Sequence, residues 1–291
     1  MRALVTGGAG FVGTNLVNRL VDDGYEVIIF DNLSTGSQYN INKEAKLFLI
    51  DISYNDYFKD KKMDDIMNGV DVIFHMAALP RIKPSFENPK EVCDVNVVGT
   101  QNILEGAKKF NIPVIYAGSS SVHGGVYKNP YTFSKWQGEQ LCEMYKKIYG
   151  LDITICRFYN VYGDYMINEG SYRTVLSIFI EQYENECPLT ITSDGEQRRD
   201  FTHIDDIVDA MIKCVEHKKY GYIFELGRGK NHSINEVVDM FGDIVGTTYI
   251  DEIPGEARIT LCDSKLAKEV LKWKPKINLN EWIKIKLRSL V

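Results

Sequence analysis

The first thirteen residues, Met1 to Gly13, read MRALVTGGAGFVG, with glycines at 7, 8, 10 and 13 directly after a short apolar run. Arg2 to Thr6 suits a buried parallel strand, and Phe11, Val12, Leu16, Val17 and Leu20 follow at helical spacing. A strand that turns through such glycines into a helix leaves few folds open. Gly7 permits a tight turn, Gly10 lets backbone N–H groups approach a pyrophosphate, and Gly13 lets the helix pack closely on the strand. The positive end of the helix dipole then faces the phosphates. Glycines alone are weak evidence; the strand before and the helix after give them weight.

An acidic residue at the end of the next strand adds to this. Asp31 closes the run Tyr25-Glu26-Val27-Ile28-Ile29-Phe30. A carboxylate there accepts hydrogen bonds from an adenine ribose 2′-OH and repels a 2′-phosphate, so the expected cofactor is NAD rather than NADP. The alternative is a solvated turn residue in the loop Asp31-Asn32-Leu33-Ser34-Thr35-Gly36.

Apolar strand-like runs recur at 2–6, 26–30, 46–50, 71–75, 113–117 and 153–156, with helical patterns at 11–23, 88–110 and 131–149. Strand alternating with helix predicts an α/β fold, a Rossmann-type doubly wound parallel sheet with ligands at the carboxyl ends of its strands. After residue 157 the rhythm changes. Loop-rich stretches at 160–172 and 192–200 flank a helix at about 173–186, and another helix follows Asp205. The expectation is an NAD-binding domain over 1–160, to which 198–222 returns. A smaller C-terminal α/β substrate lobe takes 161–197 and 223–291.

The 291 residues can bury a large core, and 44% hydrophobic with 25% charged residues is ordinary for a globular chain. A net charge of −6 argues against nucleic acid or a membrane surface as the main partner. With glycines beginning at residue 7 no signal peptide is expected, and no apolar run approaches the ~18 residues of a membrane span. Six scattered cysteines without a CxxC pair, and five histidines without ligand spacing, predict neither disulfides nor zinc. A soluble cytoplasmic protein is expected.

The strand Val114-Ile115-Tyr116-Ala117 ends in Gly118-Ser119-Ser120-Ser121, and Tyr131-Thr132-Phe133-Ser134-Lys135 opens a long helix beyond it. Tyr131 and Lys135, at i and i+4, share one helical face. A phenol titrating near 10 needs about 4 kcal/mol in favour of the phenolate to act as a base at pH ~7. One ammonium at ~4 Å supplies roughly that at an effective dielectric near 20, and a positive nicotinamide ring would add more. Lys135 with NAD⁺ can thus make Tyr131 a general base, with Ser119 bonding the same substrate oxygen. The YxxxK spacing also occurs at Tyr39/Lys43 and Tyr57/Lys61, so spacing alone carries nothing. Those two read as surface polar residues, and serine runs also serve as plain loop chemistry.

TGGAGFVG, DNLSTG at 31–36, HMAA at 75–78, NVVGT at 96–100, SSS, YTFSK, RFYNVYG at 157–163 and GEQRRDFTHIDD at 195–206 together resemble the extended short-chain dehydrogenase/reductase family. They span nearly the whole chain in family order, and the match is best to the nucleotide-sugar 4-epimerases. The resemblance implies that Gly7, Gly10, Phe11, Val12 and Gly13 hold the pyrophosphate of NAD. Asp31, Asn32, Ser34 and Gly36 would surround the adenosine ribose, with Asp51 and Ile52 at the adenine. Ala77, Ala78 and Asn96 would lie along the nicotinamide half, where Tyr131 and Lys135 also bind. Ser119, Tyr131 and Lys135 would be catalytic. For the substrate, the resemblance points to Asn160, Arg199 and Arg258 at the sugar diphosphate and Glu256 at the nucleotide ribose. A guanidinium fork fits a diphosphate, although a surface ion pair is the other reading of each arginine. A homodimer through helices 88–110 and 131–149 is also implied.

Relatives that dehydrate or decarboxylate usually carry an acidic residue just after the serine, where this chain has Ser120-Ser121-Val122. The implied reaction is therefore 4-epimerisation through a transient 4-keto sugar. Thr260, three residues before Asp263, stands where family members gate the space around C2, so UDP-GlcNAc/UDP-GalNAc are expected beside UDP-Glc/UDP-Gal. The chain departs from the family at several points. The interval from Ser119 to Tyr131 is short, His123 replaces a tyrosine, Ile253 stands where many members have an arginine, and Glu225-Leu226-Gly227 replaces Asn-x-Gly. A dehydratase, a uronic-acid epimerase and a non-catalytic NAD-binding regulator stay open.

Overall fold

In the computed structural model, which describes residues 1–54, 59–242, 246–252 and 254–290, the predicted strands all form, with ends shifted by no more than two residues. They are β1 (Arg2–Thr6), β2 (Glu26–Asp31), β3 (Lys46–Leu49), β4 (Val72–His75), β5 (Val114–Ser119) and β6 (Ile153–Phe158). Shorter strands follow as β7 (Val161–Tyr162), β8 (Leu189–Thr192), β9 (Arg198–Asp200), β10 (Thr202–His203), β11 (Ile223–Leu226), β12 (Asn231–Ser233) and β13 (Thr247–Ile250). The helices are α1 (Phe11–Asp22), α2 (Lys61–Met67), α3 (Ile82–Glu87), α4 (Pro89–Cys93), α5 (Thr100–Phe110), α6 (Pro130–Tyr149), α7 (Val175–Glu184), α8 (Ile204–Glu216), α9 (Ile234–Asp239), α10 (Lys265–Val270) and α11 (Leu279–Arg288). None is long and apolar enough to cross a membrane, among the described residues.

A seven-stranded sheet runs β11-β6-β5-β4-β1-β2-β3, parallel throughout. Alternating side chains of β1 enter opposite cores. Leu4 joins Ile28 and Ile73 under Met63, Ile103, Leu104, Cys142 and Tyr145, while Ala3 and Val5 join Val27 and Phe74 under Leu16, Leu20, Ile207 and Met211. Helices therefore cover both faces, and the strands read as unbroken apolar runs. The chain leaves β1 for β2 on one side and returns to β4 on the other, so strand order reverses beside β1. Ligands of such sheets sit at that switch point, outside the carboxyl ends.

A third core gathers Leu176, Phe179, Leu189, Ile191, Phe201, Val237, Phe241 and Ile283 from the later elements. The expected lobe boundary at 223 needs correction, because β11 is the edge strand of the main sheet and Leu271 and Trp273 pack into its core. Between α4 and α5 the expected single helix passes through a π-helical turn at Asp94–Gly99.

Candidate active site

A cavity of about 400 Å³ opens along the carboxyl ends of β1, β2, β4, β5 and β6. The glycine turn forms one wall. Gly7 lies at φ +69°, and a Cβ on it would come within 2.7 Å of the Ala77 nitrogen. Gly13 allows α1 to touch the turn, for its Cβ would stand 1.9 Å from the Gly7 carbonyl oxygen. Phe11 and Val12 complete the wall. Asp31 accepts the backbone N–H of Ala9 at 2.9 Å and of Leu33 at 2.8 Å, and burial raises its carboxyl above the usual range. Asn32, Ser34, Asp51 and Ile52 line the same end, with Asn32 donating to Asp51 at 2.9 Å.

Ser119 ends β5. Asn129 caps α6 by accepting the Thr132 N–H at 2.8 Å, Pro130 occupies the first turn, and Tyr131 follows. This brings the Tyr131 hydroxyl to 3.3 Å from Ser119 Oγ, to which it donates, while Ser119 Oγ donates to Ser121 Oγ at 2.9 Å. Lys135, one turn along α6, is buried with Nζ 4.5 Å from the centre of the Tyr116 ring. Burial draws its ammonium down to about 8, opposed by Glu139 one further turn on. Burial raises the Tyr131 phenol, and the groups that oppose the rise are Ser119 and the Arg81 guanidinium. Lys135 and Tyr131 line the same cavity one helical turn apart.

Ala77 and Ala78 line the cavity beside these residues, and Asn160, Arg199, Glu256 and Thr260 line its far side. Asn160 donates to the Asp200 carbonyl at 3.0 Å and to Thr260 Oγ1 at 3.1 Å. Arg199 meets Glu256 at 2.9 Å with its side chain only 12% exposed. The rim at Gly124, Gly125 and Lys128 belongs to the short segment between Ser119 and Tyr131.

Three expected residues do not line the cavity. Gly36 packs behind the glycine turn, where a Cβ would lie 2.8 Å from the Ala9 carbonyl carbon. Asn96 is buried in the π-helical turn, where it accepts the Leu79 N–H at 2.8 Å and donates to the Leu79 carbonyl and Ser134 Oγ. It fastens the wall segment to α6. Arg258 is half exposed and holds Asp194 through both terminal nitrogens at 2.8 and 2.7 Å. Ile253, and Tyr57 of the second YxxxK pair, lie outside the described residues. Tyr39 of the first pair is 89% exposed.

The site also contains Arg81, Arg157 and Glu139, which the sequence reading missed, and gives partners to His123 and Glu225, which it noted only as departures from the family. Arg81 lines the cavity three residues beyond Ala78 and donates from Nε to the Tyr172 carbonyl at 3.1 Å. Behind α6, Arg157 binds Glu139 at 2.7 Å and Glu225 at 2.9 Å, and His123 bonds Glu225 at 2.9 Å. Their places, at a strand end and one turn past Lys135, were the available signals.

Residues 3–227 match the NAD dependent epimerase/dehydratase family. The chain belongs to this family. A putative UDP-glucose 4-epimerase of Methanocaldococcus jannaschii is 38% identical, covering 97% of this chain and 95% of its own. Among solved structures, UDP-glucose 4-epimerase of Thermotoga maritima with UDP-glucose superposes with a TM-score of 0.92 at 29% identity, over 99% of this chain and 98% of that one. UDP-glucuronic acid 4-epimerase of Bacillus cereus, in complex with UDP-glucuronic acid and NAD, gives 0.89 at 26%, over 100% and 99%. As in its family, the cofactor is NAD. The cradle suits that group: the turn at Gly7 and Gly13 has no space for a Cβ, and Asp31 keeps lone pairs beyond its two backbone bonds.

Proposed function

We propose that the protein is a 4-epimerase of UDP-linked hexoses, with UDP-glucose and UDP-galactose as the reference pair. The observation that carries this reading is the Tyr131–Ser119 contact of 3.3 Å in a cavity that runs from the glycine turn to Arg199. Bound NAD supplies a reversible hydride store. Gly7, Gly10, Phe11, Val12 and Gly13 would hold its pyrophosphate, and Asp31, Asn32 and Ser34 its adenosine ribose. Asp51 and Ile52 would flank the adenine, with Ala77, Ala78 and Lys135 along the nicotinamide half.

Ser119 holds the sugar C4 oxygen, and Tyr131 takes its hydroxyl proton as the 4-keto sugar forms. Arg199 keeps the diphosphate while the sugar turns about that link, with Asn160 alongside. Tyr131 then returns the proton to the epimeric alcohol. Ser120 and Ser121 after Ser119 offer no carboxylate for a 4,6-elimination, which favours epimerisation over dehydration. Thr260, a small residue held by Asn160, leaves space for an N-acetyl group at C2. A Thr260→Tyr variant should lose UDP-GlcNAc turnover faster than UDP-glucose turnover. A homodimer belongs to this proposal, and the exposed Met144, Ile148 and Tyr149 on α6 give it an apolar strip.

Proton NMR of the purified protein with UDP-glucose, UDP-GlcNAc or UDP-glucuronate, without added NADH, tests the reading. A new anomeric signal from the C4 epimer is the expected result. Silence with all three would overturn it in favour of an NAD-binding protein without this turnover.

A further inference from the structure

The catalytic end of the cleft carries one more positive charge than the proposed chemistry uses. Arg199 is answered by Glu256 at 2.9 Å, and Lys135 by the Tyr116 ring and by Glu139 one turn away. Among the described residues Arg81 has no carboxylate at ion-pair distance, and Glu256, already paired with Arg199, acts on it only from farther off. Its Nε donates to the Tyr172 carbonyl, and among the described residues no carboxylate pairs with its terminal nitrogens. A guanidinium keeps its proton, so this charge stays in the half-buried cleft until a ligand meets it. The residue is also held at a backbone cost, with φ at +88°, in a region where an arginine is strained. Strain of this kind persists where the surroundings enforce a particular side-chain placement.

We propose that Arg81 is a specificity-determining residue that receives a carboxylate on the sugar, so that the site favours UDP-linked hexuronates over neutral hexoses. The inference rests on the 4-epimerase reading and adds the oxidation level at C6. In a hexuronate the carboxyl group hangs on C5, next to the C4 oxygen that Ser119 and Tyr131 take. Arg81 lines the same cavity as Ser119 and Tyr131, on the segment that follows β4. Its two terminal nitrogens match the two oxygens of a carboxylate as a fork. A neutral CH2OH at C6 offers one oxygen and leaves the cation uncompensated. The other anion of the substrate, the diphosphate, has Arg199.

The test compares kcat/KM for UDP-glucuronate and UDP-glucose in the NAD-loaded wild type, Arg81→Gln and Arg81→Lys, with product identified by NMR and UDP binding measured by calorimetry. The wild type is expected to use UDP-glucuronate at least as well as UDP-glucose. Arg81→Gln should lower the uronate-to-glucose ratio about tenfold or more, mainly through KM, while affinity for UDP alone changes less than about twofold. Arg81→Lys, which keeps the charge without the fork, should fall between them and stands in if Arg81→Gln fails to fold. Equal losses on both sugars with weaker UDP binding would overturn the proposal and assign Arg81 to the diphosphate. So would a wild type that epimerises UDP-glucose and ignores the uronate. If neither sugar reacts, the 4-epimerase reading fails, and calorimetry of uronate against glucose binding in wild type and variant still decides the role of Arg81. A UDP-pentose product from the uronate alone would support Arg81 and overturn 4-epimerisation.

Discussion

Tyr131 donates its hydroxyl to Ser119 Oγ across 3.3 Å, although one side chain starts a helix and the other ends a strand. The two meet because α6 begins right at the carboxyl edge of β5. If this pair moves the C4 proton, Tyr131→Phe should reduce kcat by about 10²–10⁴-fold. Bound NAD and the thermal midpoint should change little, since the phenyl ring keeps the packing. Steady-state kinetics beside the nucleotide content of the purified variant checks this. A variant retaining more than a tenth of wild-type kcat would remove Tyr131 from the chemistry.

Behind that helix, Glu139 is only 1% exposed and meets Arg157 at 2.7 Å. Arg157 also holds Glu225 on the edge strand β11, so one guanidinium ties α6 to β6 and β11. Removing one partner leaves the other charge buried and alone. Arg157→Met should therefore destabilise the fold by about 3 kcal/mol or more. The double change Arg157→Met with Glu139→Leu should recover part of the loss, because both desolvation costs disappear together. Denaturant unfolding of Arg157→Met, Glu139→Leu and the double variant gives the comparison, and additive losses would argue against a coupled pair.

These two predictions draw on parts of the chain that were unequally legible. Gly7, Asp31, Ser119 and Tyr131 each follow a strand of an alternating pattern, so local spacing points to them. Glu139 and Glu225 stand 18 and 68 residues from Arg157, and only the strand order β11-β6-β5 brings them together. The strand β11 escaped notice because Glu225 interrupts its apolar run, a charge answered from β6 and by His123. Arg258 faced the opposite problem. Its motif suggested a ligand, and its partner Asp194 lies 64 residues away. Arg81 carries no motif at all, and its place became visible only once β4 was set beside β1.

His75 lies at the end of β4 with both ring nitrogens engaged, Nδ1 to Thr6 Oγ1 at 2.7 Å and Nε2 to Thr100 Oγ1 at 3.0 Å. Thr100 donates its hydrogen to the Asn96 carbonyl, so it accepts from Nε2–H and the ring is the neutral Nε2 tautomer. Burial, helped by Lys135, pulls its pKa down from 6.5 to about 3. Between those values the unfolded chain binds a proton that the folded chain refuses. Stability is therefore full above about pH 6.5 and is lost as pH falls toward 3, at about 1.4 kcal/mol per unit. A His75→Gln variant starts less stable and should show a shallower loss over that window. Thermal midpoints taken from pH 7 to 4 measure the difference, and parallel curves would contradict it.

Asp31 holds the glycine turn through Ala9 and its own loop through Leu33, so its carboxylate sits at a fixed place beside the cleft. If it also accepts the adenine ribose hydroxyls, a 2′-phosphate would face a fixed negative charge at close range. Asp31→Asn keeps one acceptor oxygen and removes the charge. It should weaken NAD binding about tenfold and relieve the repulsion of NADP by a similar factor, at ~1.4 kcal/mol each. Titration of cofactor-stripped protein with both nucleotides, beside a thermal midpoint for the variant, separates cofactor choice from damage to the turn. A variant that still rejects NADP as strongly as the wild type would show that shape around the ribose, and not the Asp31 charge, excludes the phosphate.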